Sequence, residues 1–493
     1  VLVQPNTPKA LSWAALTLAP LELPVLLLGA VAIGRLARWP LAVAALALTA
    51  MVLVKLLVFA AYAAFGRQFD PVVDAPLIEA GMRLLSGSVG TVGAIASLLL
   101  VLVAVVLVGC LLYAGLRLWA RAGSRLSVPA RAAAGVAALV FAVLSATEVH
   151  TAQNGWKGWN PPGSAFTARL AAEKIRMSRQ SLTALSEFTI AADNDPWRDR
   201  DGVLARLDGR DVAVIFIESY GRAAFDNPLY APRHRQTLAE ASKKLEQAGL
   251  EVRSGWLTSP VKGGQSWLAH GTLASGLPIG DQRRYGAMLS SRHLTLYQIA
   301  ARAGYATRAV VPAIVLAWPE GPELGFEEIF AAKDLGYAGL PFNWVTMPDQ
   351  YTLTAYDRLP NPGRPVMTEI ALVSSHAPWT PVAEMVPWDD VGDGHVFDTM
   401  ATTGPTPREV WADRDRIRDH YGRSLNYSVR TVLDWAARNT SEQPLLVVLG
   451  DHQAAEFVSQ EGGHDVPVHL IGPPEAIALF DDWQWTKGLE PAA

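Results

Sequence analysis

The sequence predicts a multi-pass α-helical membrane domain followed by an α/β domain with a central, mostly parallel sheet. Charge marks the division: residues 1–148 carry 10 Lys+Arg against 5 Asp+Glu, and the rest of the 493-residue chain carries 32 against 41. A cationic apolar segment therefore precedes an acidic one long enough to bury its own core. Long apolar runs in the first part approach the ~20 residues that a bilayer requires. In the second part the apolar runs are short and end on acids: Asp211 to Gly221 reads D-V-A-V-I-F-I-E-S-Y-G, and P-L-L-V-V-L-G at Pro444 to Gly450 runs into Asp451-His452. Such runs, rich in β-branched residues, are too short for a span and suit strands buried on both faces of a parallel sheet.

Four spans fit residues 1–148. Leu11 to Gly34 is broken by Pro20, Glu22 and Pro24; Leu41 to Phe65 contains Lys55; Thr91 to Leu116 is uncharged; Ala132 to Thr147 is short and rich in Ala. Arg35 and Arg38 lie between the first two, and Arg117, Arg121, Arg125 and Arg131 between the last two. The positive-inside rule makes both connections cytoplasmic and puts everything after Glu148 on the outer side. Glu22 and Lys55 are costly in hydrocarbon and are expected to pair. Residues near 70–88 are expected to form a helix lying in the interface. The single cysteine, Cys110, permits no intrachain disulfide. The sequence begins at Val1 rather than Met, in keeping with processing or with residues upstream.

Residues 149–205 read as a membrane-surface linker. Trp156, Trp159 and Pro161-Pro162-Gly163 mark a chain leaving a bilayer, and Ser164 is expected to start a helix that runs to about Phe188. Residues 206–493 alternate apolar strands with helical stretches such as Gln236 to Ala248 and Leu296 to Ala303, the pattern of an α/β sandwich.

Ligands in open α/β sheets sit outside the carboxyl ends of the strands. Glu218, Asp451 and His452 are expected there, and two carboxylates with an imidazole suit Zn²⁺ or Mn²⁺. Between them lies V-K-G-G-Q-S-W-L-A-H-G at residues 261–271. Its glycines allow a tight turn, and Ser266 opens a helix whose N-terminus favours an anion.

Glu218 after a first strand, Ser266 some fifty positions on, S-S-H-A-P-W around His376 and G-D-H near the C-terminus together resemble the alkaline phosphatase and sulfatase superfamily. With spans in front, the likeness is to its bacterial membrane branch of lipoteichoic acid synthases, phosphoethanolamine transferases and membrane phosphoglycerol transferases. The resemblance implies a sulfatase-like catalytic domain over 206–493 that faces the periplasm or cell exterior from a cytoplasmic membrane. It implies one divalent ion, Zn or Mn with Mg as a further option, on Glu218, Ser266, Asp451 and His452, with Ser266 as nucleophile. His376 resembles the histidine that contacts substrate phosphate. His464, in G-G-H-D-V-P-V-H-L, resembles a late histidine that stabilises the leaving oxygen or helps a second metal. Gln265 stands where lipoteichoic acid synthases carry Lys, and Trp318, in A-W-P-E-G, lacks the Arg that accompanies their Trp. Lys262 is the replacement in reach, so these three are candidate substrate-binding residues. Leu268 and His270 replace the Pro and Arg of formylglycine sulfatases, which disfavours sulfatase activity. His270 is expected to pack, and His234, His293, His395, His420 and His469 receive no role.

The function implied is a metal-dependent phosphotransferase that moves phosphoethanolamine or phosphoglycerol from a phospholipid donor, through a phosphoserine, to a glycan or lipid acceptor. The alternatives are a phosphodiesterase, phosphatase or sulfatase-like hydrolase and, in another class, a catalytically silent membrane-anchored binding protein. No nucleic-acid partner is expected.

Overall fold

A computed structural model describes the chain except for residues 1, 3, 35–37, 66–67, 155–160, 439–443, 461 and 493. Arg35, Trp156 and Trp159 therefore lie outside the described residues. The chain divides into two compact units, Val1–Ser186 and Glu187–Ala493.

In the first unit, three described helices are long and apolar enough to cross a membrane: Arg38–Tyr62, Val89–Gly123 and Val128–Asn154. They contain most or all of the second, third and fourth predicted spans. The first expected span is corrected. Leu11 to Gly34 forms a four-residue helix, Trp13–Leu16, and a 12-residue helix, Glu22–Ile33. The second is about 18 Å long at 1.5 Å per residue, short of the ~30 Å hydrocarbon core. The break falls at Pro20, where Ser164 pairs with the chain: its N–H donates to Ala19 O and its carbonyl accepts from Leu21 N.

The helix Leu77–Gly123 is interrupted at Gly90 (φ 77°, ψ 161°), a conformation open to glycine. Its first part covers much of the stretch expected to lie in the interface. The linker helix spans Phe166–Asp193, and most of it belongs to the first unit. Glu22 accepts from the backbone N–H groups of Thr167 and Ala168, and Glu148 from that of Ala165. Two acids from the membrane unit thus satisfy orphan donors at a positive helix end. Lys55 donates to Gln4 O at 2.6 Å. The charges expected to hold each other are thus also spent on main-chain groups. Further along the linker helix, Ser181 donates to Asp70 at 2.6 Å and Lys174 to the Phe69 carbonyl at 2.5 Å.

Among the described residues the second unit has eight strands: β1 (Val212–Ile217), β2 (Glu251–Thr258), β3 (Ala306–Val311), β4 (Glu328–Ala331), β5 (Val366–Ala371), β6 (Leu445–Gly450), β7 (Asp465–Gly472) and β8 (Thr486–Lys487). Their order is β4-β3-β5-β1-β6-β7-β2-β8. The β4-β3-β5-β1-β6 portion is parallel, and β7 and β2 continue it antiparallel. This agrees with the expected fold class. Central β1 is buried at all six positions, which explains its unbroken apolar run. Val214, Ile215, Phe216 and Ile217 each contribute about 1.5–3 kcal/mol by burial. The helices expected at Gln236 to Ala248 and Leu296 to Ala303 are Ala231–Gln247 and Leu296–Arg302.

A polar chain crosses this core. The Tyr220 hydroxyl lies 3.0 Å from His234 Nε2 and 3.1 Å from His469 Nε2. His234 Nδ1 meets Asn426 Oδ1 at 3.2 Å, and His469 Nδ1 meets Ser254 Oγ at 2.7 Å. Burial lowers His234 to about 4 and His469 to about 3. Both rings are therefore neutral when folded, whereas the unfolded chain takes up these protons near pH 6.5. Stability then rises with pH from about 4 to 6.5 and is lost as pH falls through that window. From pH 7 to 5 the pair is expected to remove about 4 kcal/mol, at about 1.4 kcal/mol per pH unit for each ring. Urea unfolding in detergent checks this: His469→Gln should reduce the acid-side loss by about half, and an unchanged pH slope refutes the assignment.

Candidate active site

Register brings the two strand-end acids together. Ile217 of β1 pairs with Gly450 of β6, so Glu218 and Asp451 are each the next residue on strands ~4.8 Å apart. Two glycines make this approach possible. A Cβ on Gly450 would lie 1.7 Å from the Tyr220 carbonyl oxygen, and one on Gly221 would lie 1.9 Å from Gln453 Oε1. The loops after β1 and β6 can therefore pack backbone to backbone only with Gly at these positions.

The Glu218-Ser219 turn is fixed from several sides. Ser219 adopts φ 57°, Ser375 donates to Glu218 O at 2.6 Å, and Tyr421 donates to Ser219 O at 2.8 Å. Asp451 Oδ1 accepts from the backbone N–H groups of Ser219 (2.8 Å) and His452 (2.6 Å). That leaves Oδ2, 3.6 Å from His452 Nε2, facing the cluster. His452 Nδ1 contacts the Gln453 carbonyl at 3.1 Å. A carbonyl only accepts, so Nδ1 carries a proton, and the ring turns its Nε2 toward Glu218 Oε1 at 3.4 Å.

Ser266 completes the group. Gly263, Gly264 and Gln265 have φ of 70°, 142° and 66°, and the helix Ser266–Ser275 begins directly afterwards. The Gly263 N–H donates to Gln453 O at 2.8 Å, docking this loop on the one after β6. The Ser266 hydroxyl donates to Glu218 Oε2 at 3.0 Å and lies 3.3 Å from His452 Nε2. The four residues expected to share a site are thus in mutual contact.

The acids are unequal. Burial opposes ionisation of Glu218, but His452 and His376 hold it down at about 2. Burial and the Glu218 charge push Asp451 well above the usual carboxylate range. Two buried carboxylates this close resist carrying charge together, and a cation between them would offset that repulsion. The donor set fits a divalent ion: two carboxylates and an imidazole, all buried, with ligand atoms within 4.8 Å of one another. Main-chain groups already orient Asp451 and His452, as metal ligands require.

The other sequence-derived residues lie around this centre in different ways. His376 follows β5, and its ring stacks on Trp344 (centroids 4.0 Å apart, 21° between planes) with Nδ1 against Ala377 O. His464 is exposed and precedes β7, its Nδ1 3.2 Å from Ser259 O; Ser259 in turn donates to Asp451 O at 2.6 Å. Lys262 forms a backbone bridge with Gln453, and Gln265 precedes the helix in the left-handed region. Trp318 packs against Phe326 in the apolar core. The indole that stacks on His376 is Trp344, which no sequence motif marks. It sits on the tight Phe342–Val345 turn, whose Asn343 (φ 57°) donates to Thr380 O at 2.6 Å. His270, expected to pack, does stack on Phe216 (3.8 Å, 10°), but it also pairs with Glu369 at 2.8 Å.

No family model matches the chain, and no curated protein matches it. Among solved structures it is similar to the lipoteichoic acid synthase LtaP from Listeria monocytogenes, at 12% identity and TM-score 0.37 over 58% of this chain and 70% of that one. It is also similar to the C-terminal periplasmic domain of EcEptC from Escherichia coli in complex with Zn, at 14% and 0.33 over 55% and 74%. A third is the Streptococcus pyogenes phosphoglycerol transferase GacH in complex with sn-glycerol-1-phosphate, at 14% and 0.36 over 59% and 73%. At these identities and scores, the chemistry of the site stands on its own side chains.

Proposed function

We propose that this protein is a membrane-anchored phosphotransferase that uses Ser266 to take a headgroup phosphate from a phospholipid and pass it to an acceptor hydroxyl. The observation that carries this reading is the Ser266 hydroxyl held at 3.0 Å from Glu218 and 3.3 Å from His452 in a buried group of acids and imidazole. Glu218, Ser266, Asp451 and His452 would hold one divalent ion, Zn²⁺ or Mn²⁺. Bound there, such an ion lowers the pKa of a coordinated hydroxyl and neutralises phosphoryl charge.

The chain's own residues supply the rest. Ser266 Oγ forms the bond to phosphorus, the bond to the diacylglycerol oxygen breaks, and that oxygen leaves with a proton. The acceptor oxygen then displaces Ser266 Oγ and restores the hydroxyl. The Ser266 helix N-terminus favours the phosphate charge, and His376, near enough to act on the Glu218 charge, would meet a phosphoryl oxygen. The apolar helices fit a donor that never leaves the bilayer. Trapping tests the reading: after brief incubation of detergent-solubilised protein and Zn²⁺ with phosphatidylethanolamine or phosphatidylglycerol vesicles, peptide mass spectrometry should find phosphoethanolamine or phosphoglycerol on Ser266. An adduct that forms but passes to water alone favours the hydrolase; an unmodified Ser266 with ongoing turnover overturns the nucleophile.

Trp344, 55% exposed with its ring plane on His376, offers a surface for the headgroup. Trp344→Ala is expected to raise KM about tenfold with kcat changed less than threefold, the signature of lost uniform binding. Steady-state kinetics on mixed micelles check this.

A further inference from the structure

Ser266 follows three residues of positive φ, a turn docked through Gly263 on the loop after β6. The hydroxyl's place depends also on how the body of the helix Ser266–Ser275 is held. Leu268, Ala269 and Ala274 bury apolar surface, which is non-directional. Trp267 donates to Gln282, Thr272 and Ser275 bond to their own helix, and His293 reaches the Ser275 carbonyl. Among the described residues, the only side-chain hydrogen bond from this helix onto a strand of the sheet is His270 Nδ1 to Glu369 Oε1, 2.8 Å long.

His270 lies one turn along from Ser266 on the same helix face. Its ring lies flat on Phe216 of β1, two residues before Glu218. Glu369, on β5, is 2% exposed, and its other oxygen accepts from the Tyr297 hydroxyl at 2.5 Å. Tyr297, 1% exposed, belongs to the helix Leu296–Arg302. One buried carboxylate thus ties β5 to two helices and, through the His270 ring, to β1. Burial works against a charged His270, but Glu369 prevails and raises it, so the contact is charge-assisted and short.

We propose that His270, Glu369 and Tyr297 form a positioning triad that fixes the Ser266 helix on β1 and β5 and so sets where the Ser266 hydroxyl stands against Glu218 and His452. None of the three touches the reacting atoms. The inference rests on the reading of Ser266 as nucleophile.

The test uses full-length protein in detergent with Zn²⁺ and bis(4-nitrophenyl) phosphate as substrate, comparing Glu369→Gln, His270→Gln and Tyr297→Phe. A misplacement of about 1 Å costs on the order of 100-fold in rate, so the two Gln variants are expected to lose about 30- to 100-fold in kcat. Tyr297→Phe, which removes one oxygen and perturbs the packing least, should lose about threefold to tenfold. Zn²⁺ affinity, measured by competition with a chromogenic chelator, should stay within about threefold, because Glu218, Asp451 and His452 are set by strand ends and the neutral Ser266 hydroxyl is the only ligand that the triad positions. A structural role alone moves affinity and melting temperature together with kcat, and that result overturns the triad. So does unchanged kcat in all three variants. Ser266→Ala in the same assay separates the two ideas: if it stays active, the nucleophile reading fails; if it is dead while the triad variants are fully active, only the triad fails.

Discussion

Ser266→Ala is expected to lose at least about a thousandfold in turnover of phosphatidylethanolamine or phosphatidylglycerol vesicles, because Ser266 Oγ opens the helix whose N-terminus favours a phosphate, whereas the other hydroxyl on Glu218, Ser219 Oγ at 2.9 Å, is buried. The fold should survive. Ser266 is at the first position of its helix, and its side chain makes two contacts, to Glu218 and His452, each worth about 0.5–1.5 kcal/mol. A melting temperature lowered by only a few degrees should therefore accompany the loss. Ser266→Thr keeps a hydroxyl and should retain measurable turnover. Alanine-variant activity within tenfold of the parent would sink the proposal.

Asp451→Asn should produce the second large effect, a loss of divalent-cation affinity of at least about 100-fold, with turnover falling alongside. Asp451 Oδ1 already accepts two backbone N–H bonds, and Oδ2 faces the cluster. An amide must therefore either turn an NH₂ against those donors or present it to the cation, and it lacks the charge in both cases. Without cation the variant should be no less stable than the parent, since the mutual repulsion of Glu218 and Asp451 is gone. The parent should gain stability on adding Zn²⁺ in proportion to the logarithm of its concentration over Kd, and the variant should gain almost nothing. Elemental analysis and melting curves with and without chelator check both points. A variant that keeps stoichiometric metal refutes the ligand assignment.

Much of this was legible in the chain because it depends on local pattern. A run such as Val212–Ile217 is apolar at every position only when both faces of a strand are covered, and the acids that end β1 and β6 stand out against it. Order along the chain located Ser266, but contact among the four residues depends on Ile217 opposing Gly450, and register is a property of pairing rather than of either segment. Trp344 could not be found because its place depends on a tight turn held by Asn343 against Thr380. Glu369 was hidden for the opposite reason: a carboxylate within a strand resembles a surface residue until its partners, some 70 and 100 positions away, are known. The expected first span failed at Pro20, where a composition window averages over a main-chain break.

The polar chain through Tyr220 has a proton deficit. Asn426 gives its NH₂ to Gly422 O at 2.7 Å, so its oxygen must receive the His234 Nδ1 proton. Ser254 gives its hydroxyl to Gly488 O at 2.6 Å, so it must receive the His469 Nδ1 proton. Each ring then presents a bare Nε2 to one phenol that has a single hydrogen to offer. The hydroxyl can satisfy one side at a time and must alternate, giving the core two proton arrangements on one heavy-atom framework. Nitrogen-15 shifts of both imidazoles should accordingly show an averaged, half-bonded Nε2, and Tyr220→Phe should leave the pair equally bare.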